Sequence, residues 1–210
     1  MKTLIIGANG QIGRHLVGML AESDHGVRAM VRDPLHAVTM ESKGAEVVIA
    51  DLEKDFRHAL EGCDALVFTA GSGGHTGADK TIIVDLYGAL KTIDAARDLG
   101  VKRFVMVSSM GTEDPEKGRD GMRHYFIAKR IADDRLVSSK LDYTIVRPGR
   151  LTNDEGTGRI WTGEGERQKQ VPRIDVAATI VALLDQGNTV RKIFPLLSGE
   201  NPIEDALKSM

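Results

Sequence analysis

The chain has 210 residues, 41% of them apolar and 28% charged, with a net charge of −2, which is the make-up of a globular protein with one sizeable core. Lys and Arg are spread along the sequence, which argues against a nucleic-acid or anionic-membrane surface; the longest apolar runs, such as "LIIG" and "LVFTA", fall far short of the roughly 20 residues that cross a bilayer. Strand-like sequence from Lys2 leaves no room for a leader, the single cysteine, Cys63, has no partner for an internal disulfide, and the cytoplasm is the expected compartment.

Short Val- and Ile-rich runs alternate with segments of helical period. Strands are expected near 2–6, 27–32, 46–50, 64–69, 103–108, 142–147 and 193–197. Helices are expected near 11–22, 35–43, 54–61, 79–99, 121–138 and 174–186, with a terminal helix near 202–208. Strands buried on both faces read as continuous apolar runs, and alternation with helices implies parallel order with right-handed crossovers. The expected architecture is α/β: a doubly wound parallel sheet, strand order 3-2-1-4-5-6 with a seventh strand, covered by helices on both faces. About 60 residues follow Pro148, too few for an independent substrate domain. One domain over 1–210 is expected, with 150–210 as a small C-terminal cap within it. The polar, glycine-rich stretch 152–170 reads as a lid or as a long surface loop, and Ile160 and Trp161 within it as a lid lining or as core contacts.

The first strand runs directly into "GANGQIG", residues Gly7, Ala8, Asn9, Gly10, Gln11, Ile12 and Gly13, and then into the helical "RHLVGMLAE". In that context the glycines have separate tasks: Gly7 permits a tight turn, Gly10 lets the backbone approach a pyrophosphate, and Gly13 allows close helix–strand packing. The exposed amides and the positive end of the helix dipole then favour the anion. Arg14, opening the helix, reads equally as a phosphate ligand and as a solvated residue.

The second strand, "RAMVRDP", ends on Arg32. A guanidinium matches a 2′-phosphate in charge and fork geometry, so NADP(H) is preferred over NAD(H). Asp33 follows at once and would suit a ribose hydroxyl if the strand ended one residue later. Ligands in open α/β sheets sit beyond the carboxyl ends of strands. That places Asp51 and Leu52 of "ADL" near the adenine, and Thr69, Ala70 and Gly71 of "FTAGSGG" against the ribose and pyrophosphate. A helix cap for Asp51 and a turn for the glycines are compatible readings. "GHTGADKT", 74–81, has the outline of a triphosphate loop, but Asp79 stands where a glycine should precede Lys80, so that reading is rejected.

"HYFIAKR" places Tyr125 and Lys129 four residues apart, on one helix face. A free tyrosine titrates near about 10, and a neighbouring ammonium is expected to lower that value toward the working range of a proton-transfer group. His124 reads as a surface residue, and His75 as a residue that could overhang the reacting end. The six histidines show no metal-ligand spacing, and no metal is expected.

Five motifs in order, "GANGQIG", "VDLYGALKTIDAA", "VMVSSMG", "YFIAK" and "IVRPG", give the chain its resemblance to the short-chain dehydrogenase/reductase superfamily. It is most similar to the small, atypical members related to biliverdin reductase B, NmrA-like proteins and NAD-dependent epimerase/dehydratases. The resemblance covers nearly the whole chain and implies a Rossmann fold. It also implies that Ser109 hydrogen-bonds the substrate oxygen, with Ser108 as the neighbour, that Lys129 also holds the nicotinamide ribose, and that Pro148 and Gly149 lie near the nicotinamide. Where the superfamily usually has an asparagine on the fourth helix, this chain has Asp85, which only accepts hydrogen bonds when ionised; its charge would favour Lys129 as the cation. A small-molecule substrate is expected, and the family's pairing through helix surfaces leaves a homodimer open. The expected activity is an NADPH-dependent reduction of a carbonyl, flavin or quinone-like molecule. An NmrA-like dinucleotide sensor without turnover is the alternative, and a sugar-nucleotide epimerase is disfavoured by the small C-terminal segment.

Overall fold

The computed structural model describes residues 1–74, 76–117, 121–163 and 167–210. The apolar run after Met1 forms β1 (Lys2–Ile6), buried from Thr3 onward. Alternate side chains enter different cores: Ile5 packs with residues of α1 (Gln11–Ala21), while Leu4 and Ile6 pack on the opposite face of the sheet. Two covered faces explain why this strand has no polar alternation. On α1 the buried residues Ile12, Leu16, Val17 and Leu20 recur at helical spacing.

The chain continues through β2 (Gly26–Val31), α2 (Ala37–Glu41), β3 (Glu46–Ile49) and β4 (Ala65–Phe68). One unbroken helical rod follows: α3 (Ala78–Lys80), a π-helical stretch Thr81–Gly88, and α4 (Ala89–Leu99). Next come β5 (Arg103–Val107), α5 (Arg123–Ser138), β6 (Asp142–Pro148), β7 (Arg150–Thr152), β8 (Arg159–Trp161) and β9 (Gln170–Pro172). The last elements are α6 (Arg173–Leu184), β10 (Lys192–Ser198), β11 (Asn201–Pro202) and α7 (Ile203–Lys208).

Among the described residues these strands build a nine-stranded sheet in the order β11-β8-β10-β6-β5-β4-β1-β2-β3. From β3 to β10 every pairing is parallel, with Ile5 opposite Ala29 on β2 and Val67 on β4. The expected order of six strands and a seventh beside β6 is therefore present. The sheet also gains two short antiparallel strands, β8 and β11, at that edge.

Three expectations are corrected. The helix near 54–61 is a single 3₁₀ turn, Arg57–Leu60, because the Asp55 carboxylate accepts the Arg57 amide at 3.1 Å and favours a local turn over a helix. The helix near 35–43 begins as a 3₁₀ turn and ends after Glu41, where Gly44 turns the chain at φ +89°. The stretch 152–170 is more than a loop: it carries β8 inside the main sheet, and β7 and β9 pair beside it. Asp175, buried at the start of α6, accepts the amides of Thr157 and Gly158 at 2.9 and 3.1 Å and holds this stretch down. Ile160 is a core residue, whereas Trp161 is part-exposed. Cys63 is a buried small residue just before β4, and burial pushes its thiol pKa up. Among the described residues no helix is long and apolar enough to cross a membrane.

Candidate active site

The turn between β1 and α1 is built so that only glycine fits at two places. Gly7 has φ +92°, and a Cβ there would lie 2.6 Å from the Ala70 nitrogen. At Gly13 a Cβ would lie 2.2 Å from the Gly7 oxygen. Gly10 differs: its amide donates to the Gly7 carbonyl at 2.9 Å, and a Cβ would meet only that oxygen, at 3.1 Å. Gly10 is also the cap of α1, and it offers no side chain to the first-turn amides of Gln11, Ile12 and Gly13. Those donors are therefore available to an anion at the positive end of the helix. Ala8 and Ile12 are buried beneath the turn, while Gln11 is exposed. Arg14 folds back onto Asn9, donating from Nη2 and Nε to its Oδ1 at 2.8 and 3.1 Å, so both residues form the rim of the turn.

At the end of β2, Arg32 is exposed and has no hydrogen-bond or ion-pair partner among the described residues. Asp33 is committed elsewhere: its Oδ1 accepts the Leu35 amide at 2.9 Å and caps the next turn. Asp51 does the same for Glu53 at 2.9 Å. The Leu52 side chain is buried under the helical rod, where a Cβ on Gly88 would lie 3.3 Å from it. Thr69 extends the end of β4 through its amide to the Ile6 carbonyl at 2.9 Å, which seats Ala70 against Gly7. Lys80 grips both Glu53 carboxylate oxygens at 2.7 and 2.8 Å.

The inner face of α5 carries Tyr125, Lys129 and Asp133 at successive four-residue steps. Lys129 is 2% exposed, donates to the Val107 carbonyl at 2.8 Å, and lies 5.9 Å from the Phe68 ring centre. Burial lowers its pKa, and the carboxylates of Asp85 and Asp133 oppose that effect. Asp85 is the buried carboxylate of the π-helical stretch; it accepts the Ser72 amide at 2.9 Å and so ties down the loop after Gly71. In place of an asparagine's two-way hydrogen bonding the site has a fixed negative charge that anchors this loop.

The expected lowering of the tyrosine pKa is reversed. Burial pushes Tyr125 up to about 12, Asp85 and then Asp133 push in the same direction, and only the Ser109 hydroxyl acts against them. Burial leads and the two carboxylates add to it, while the Lys129 ammonium is engaged by the Val107 carbonyl. Ser109 Oγ donates to the Met110 carbonyl at 3.0 Å. The Ser108 hydroxyl is buried and donates to Asp133 at 2.9 Å, and its backbone lies at the end of β5. Pro148 accepts the Met110 amide at 2.9 Å, and Gly149 packs so tightly that a Cβ would lie 2.2 Å from Leu197 Cδ2. His124 is exposed; His75, expected over the reacting end, lies outside the described residues.

Asp133 and Arg147 are the site residues that sequence reasoning missed. One Asp133 oxygen accepts Arg147 Nε and Nη2 at 3.2 and 3.0 Å as well as Ser108, while the other has no hydrogen-bond partner. The four-residue step from Lys129 to Asp133 was the available signal. Among the described residues no group of His, Cys, Asp and Glu could hold a metal ion.

Glycines that a Cβ would clash with, an uncapped helix start and a free arginine at the end of β2 together fit a dinucleotide. The fold and this crevice define a Rossmann protein of the nicotinamide-binding class. The chain belongs to the NAD(P)H-binding family, whose profile matches residues 7–187, and this family is oxidoreductase-like. It is 46% identical to the "Uncharacterized sugar epimerase YhfK" of Bacillus subtilis, with full coverage of both chains. A solved Bacillus halodurans protein, provisionally named an NAD-dependent epimerase/dehydratase, is 48% identical over the whole of both chains with a TM-score of 0.97. The oxidoreductase ylbE of Lactococcus lactis is 32% identical, covers 100% of this chain and 96% of its own, and has a TM-score of 0.86. The resemblance to atypical short-chain dehydrogenase/reductases is thereby upheld.

Proposed function

We propose that this protein is an NADP(H)-dependent reductase that passes hydride to a small carbonyl, flavin or quinone-like acceptor, with Tyr125 as proton donor. One observation carries the reading: Lys129 on α5 reaches the Val107 carbonyl at the end of β5, and Tyr125 lies one turn before it beside Ser109, at the same carboxyl edge of the parallel sheet as the uncapped turn after β1. The bound dinucleotide supplies the hydride.

The chain's own groups do the rest. Amides of the Gly7–Gly13 turn hold the diphosphate. Arg32 receives the 2′-phosphate, and the commitment of Asp33 to a cap supports NADP(H) over NAD(H). Lys129 uses one of its three donors on Val107, leaving two for ribose hydroxyls. Tyr125, with a pKa raised to about 12, keeps its proton through neutrality and releases it only to an oxygen that gains negative charge. Ser109 steadies that oxygen.

The test is NADPH oxidation against a panel of carbonyls, quinones and flavins, with wild-type protein and Tyr125→Phe. At least one acceptor should turn over, and Tyr125→Phe should slow it roughly a hundredfold or more while NADPH affinity holds. NADPH binding without reduction of any acceptor would hand the site to the rival, a dinucleotide sensor.

A further inference from the structure

A cleft of about 330 Å³ opens beside the candidate site, bordered by Met110, Arg147, Trp161, Arg167, Ile193 and Pro195. That volume lies within the range of small-molecule sites. Its position follows from the chain: Met110 comes directly after Ser109 and its amide bonds to Pro148, and Arg147 comes directly before Pro148. The cleft is therefore one residue from groups already placed at the reacting end.

The two arginines are not equivalent. Arg147 has Nε and Nη2 on the buried Asp133 carboxylate, so its charge is offset and its plane fixed; it serves as a wall. The guanidinium of Arg167 lies 4.9 Å from the Trp161 ring centre and has no carboxylate partner among the described residues. Guanidinium on indole makes a flat, cationic slot, suited to a ring and to an anion beside it. Met110, Ile193 and Pro195 complete an apolar floor, and Ile193 is 40% exposed there. Glu113 also borders the cleft, with its Oε2 accepting the Gly111 amide at 2.9 Å, and its charge opposes a second anionic group.

Building on the reductase reading, we infer that this cleft binds the acceptor and selects a planar aromatic molecule with one anionic substituent. Trp161 stacks on the ring and Arg167 pairs with the anion.

The sequence has one tryptophan, so its intrinsic fluorescence reports on this cleft. FMN and riboflavin share a ring and differ by a phosphate. With saturating NADP⁺, which prevents turnover, FMN should quench Trp161 with a Kd lower than riboflavin's by roughly fivefold or more. Arg167→Gln, at an exposed position, should raise the FMN Kd to the riboflavin value and leave riboflavin unchanged. Equal Kd values for the pair, no quenching by either, or an FMN Kd indifferent to Arg167→Gln would overturn the inference. Quenching as expected without NADPH-driven reduction of FMN would keep the ligand class and overturn the reductase reading instead. Reduction of both flavins at equal kcat/KM, unaltered in Arg167→Gln, would do the reverse.

Discussion

Lys129 donates to the Val107 carbonyl at 2.8 Å, which ties the middle of α5 to the last residue of β5. The pair sits between two carboxylates, Asp85 and Asp133, which raise the pKa values of both Lys129 and Tyr125; Arg147 faces Asp133 from β6. In the proposed mechanism reduction needs the Tyr125 proton and the Lys129 cation, so activity should be present at lower pH and lost as pH rises through those values. Removing the Asp133 charge lowers both. Asp133→Asn should therefore move the alkaline limb of the kcat/KM profile to lower pH. An unmoved limb would show that Asp133 carries no charge in the folded protein.

Gly13 and Gly10 should separate folding from binding. A methyl at Gly13 meets backbone at 2.2 Å, and Gly13→Ala should lower stability by about 3 kcal/mol, the upper end of ordinary overpacking penalties. Gly10→Ala meets only one atom at 3.1 Å; it should cost about 1 kcal/mol as a poorer cap while weakening NADPH binding roughly tenfold. Denaturant midpoints and NADPH titrations read the two effects.

Arg32→Ala should weaken NADPH binding by about 1.5–3 kcal/mol, roughly ten- to a hundredfold. On the proposed assignment NADH binding should barely change, because NADH has no 2′-phosphate for the guanidinium to meet. Isothermal titration with both nucleotides tests this; equal losses would refute the 2′-phosphate assignment.

Asp175→Ala leaves the Thr157 and Gly158 amides without their acceptor, at about 0.5–1.5 kcal/mol for each hydrogen bond lost. Hydrogen exchange should speed up over 156–161 and stay slow in β1, β4 and β5. Uniformly slow exchange would mean that β8 alone fixes the segment.

What could be read from the chain was whatever local chemistry dictates. The turn at Gly7–Gly13 was legible because strand, glycines and helix follow one another directly, and at Gly7 and Gly13 no other residue fits. The place of Arg32 after β2 and of Tyr125 and Lys129 on one helix was legible from strand and helix period alone. Asp133 with Arg147, and Asp175 with Thr157, escaped because their partners lie 14 and 18 residues away and meet only once the sheet has formed. The sign of the Tyr125 shift was misread since it depends on burial and on a carboxylate from a different helix, neither of which is visible in Tyr-x-x-x-Lys. β8 was hidden because a three-residue strand with one core side chain, Ile160, has no period to detect.

The sheet finishes on β11, two residues long, and its second residue is Pro202, exposed and without an amide hydrogen. An outermost strand is normally a template on which another chain can add itself, and a short one ending in proline is a poor template. Growth by fibril-like stacking is thus discouraged at this margin. Any second molecule that docks there must be recognised by its side chains.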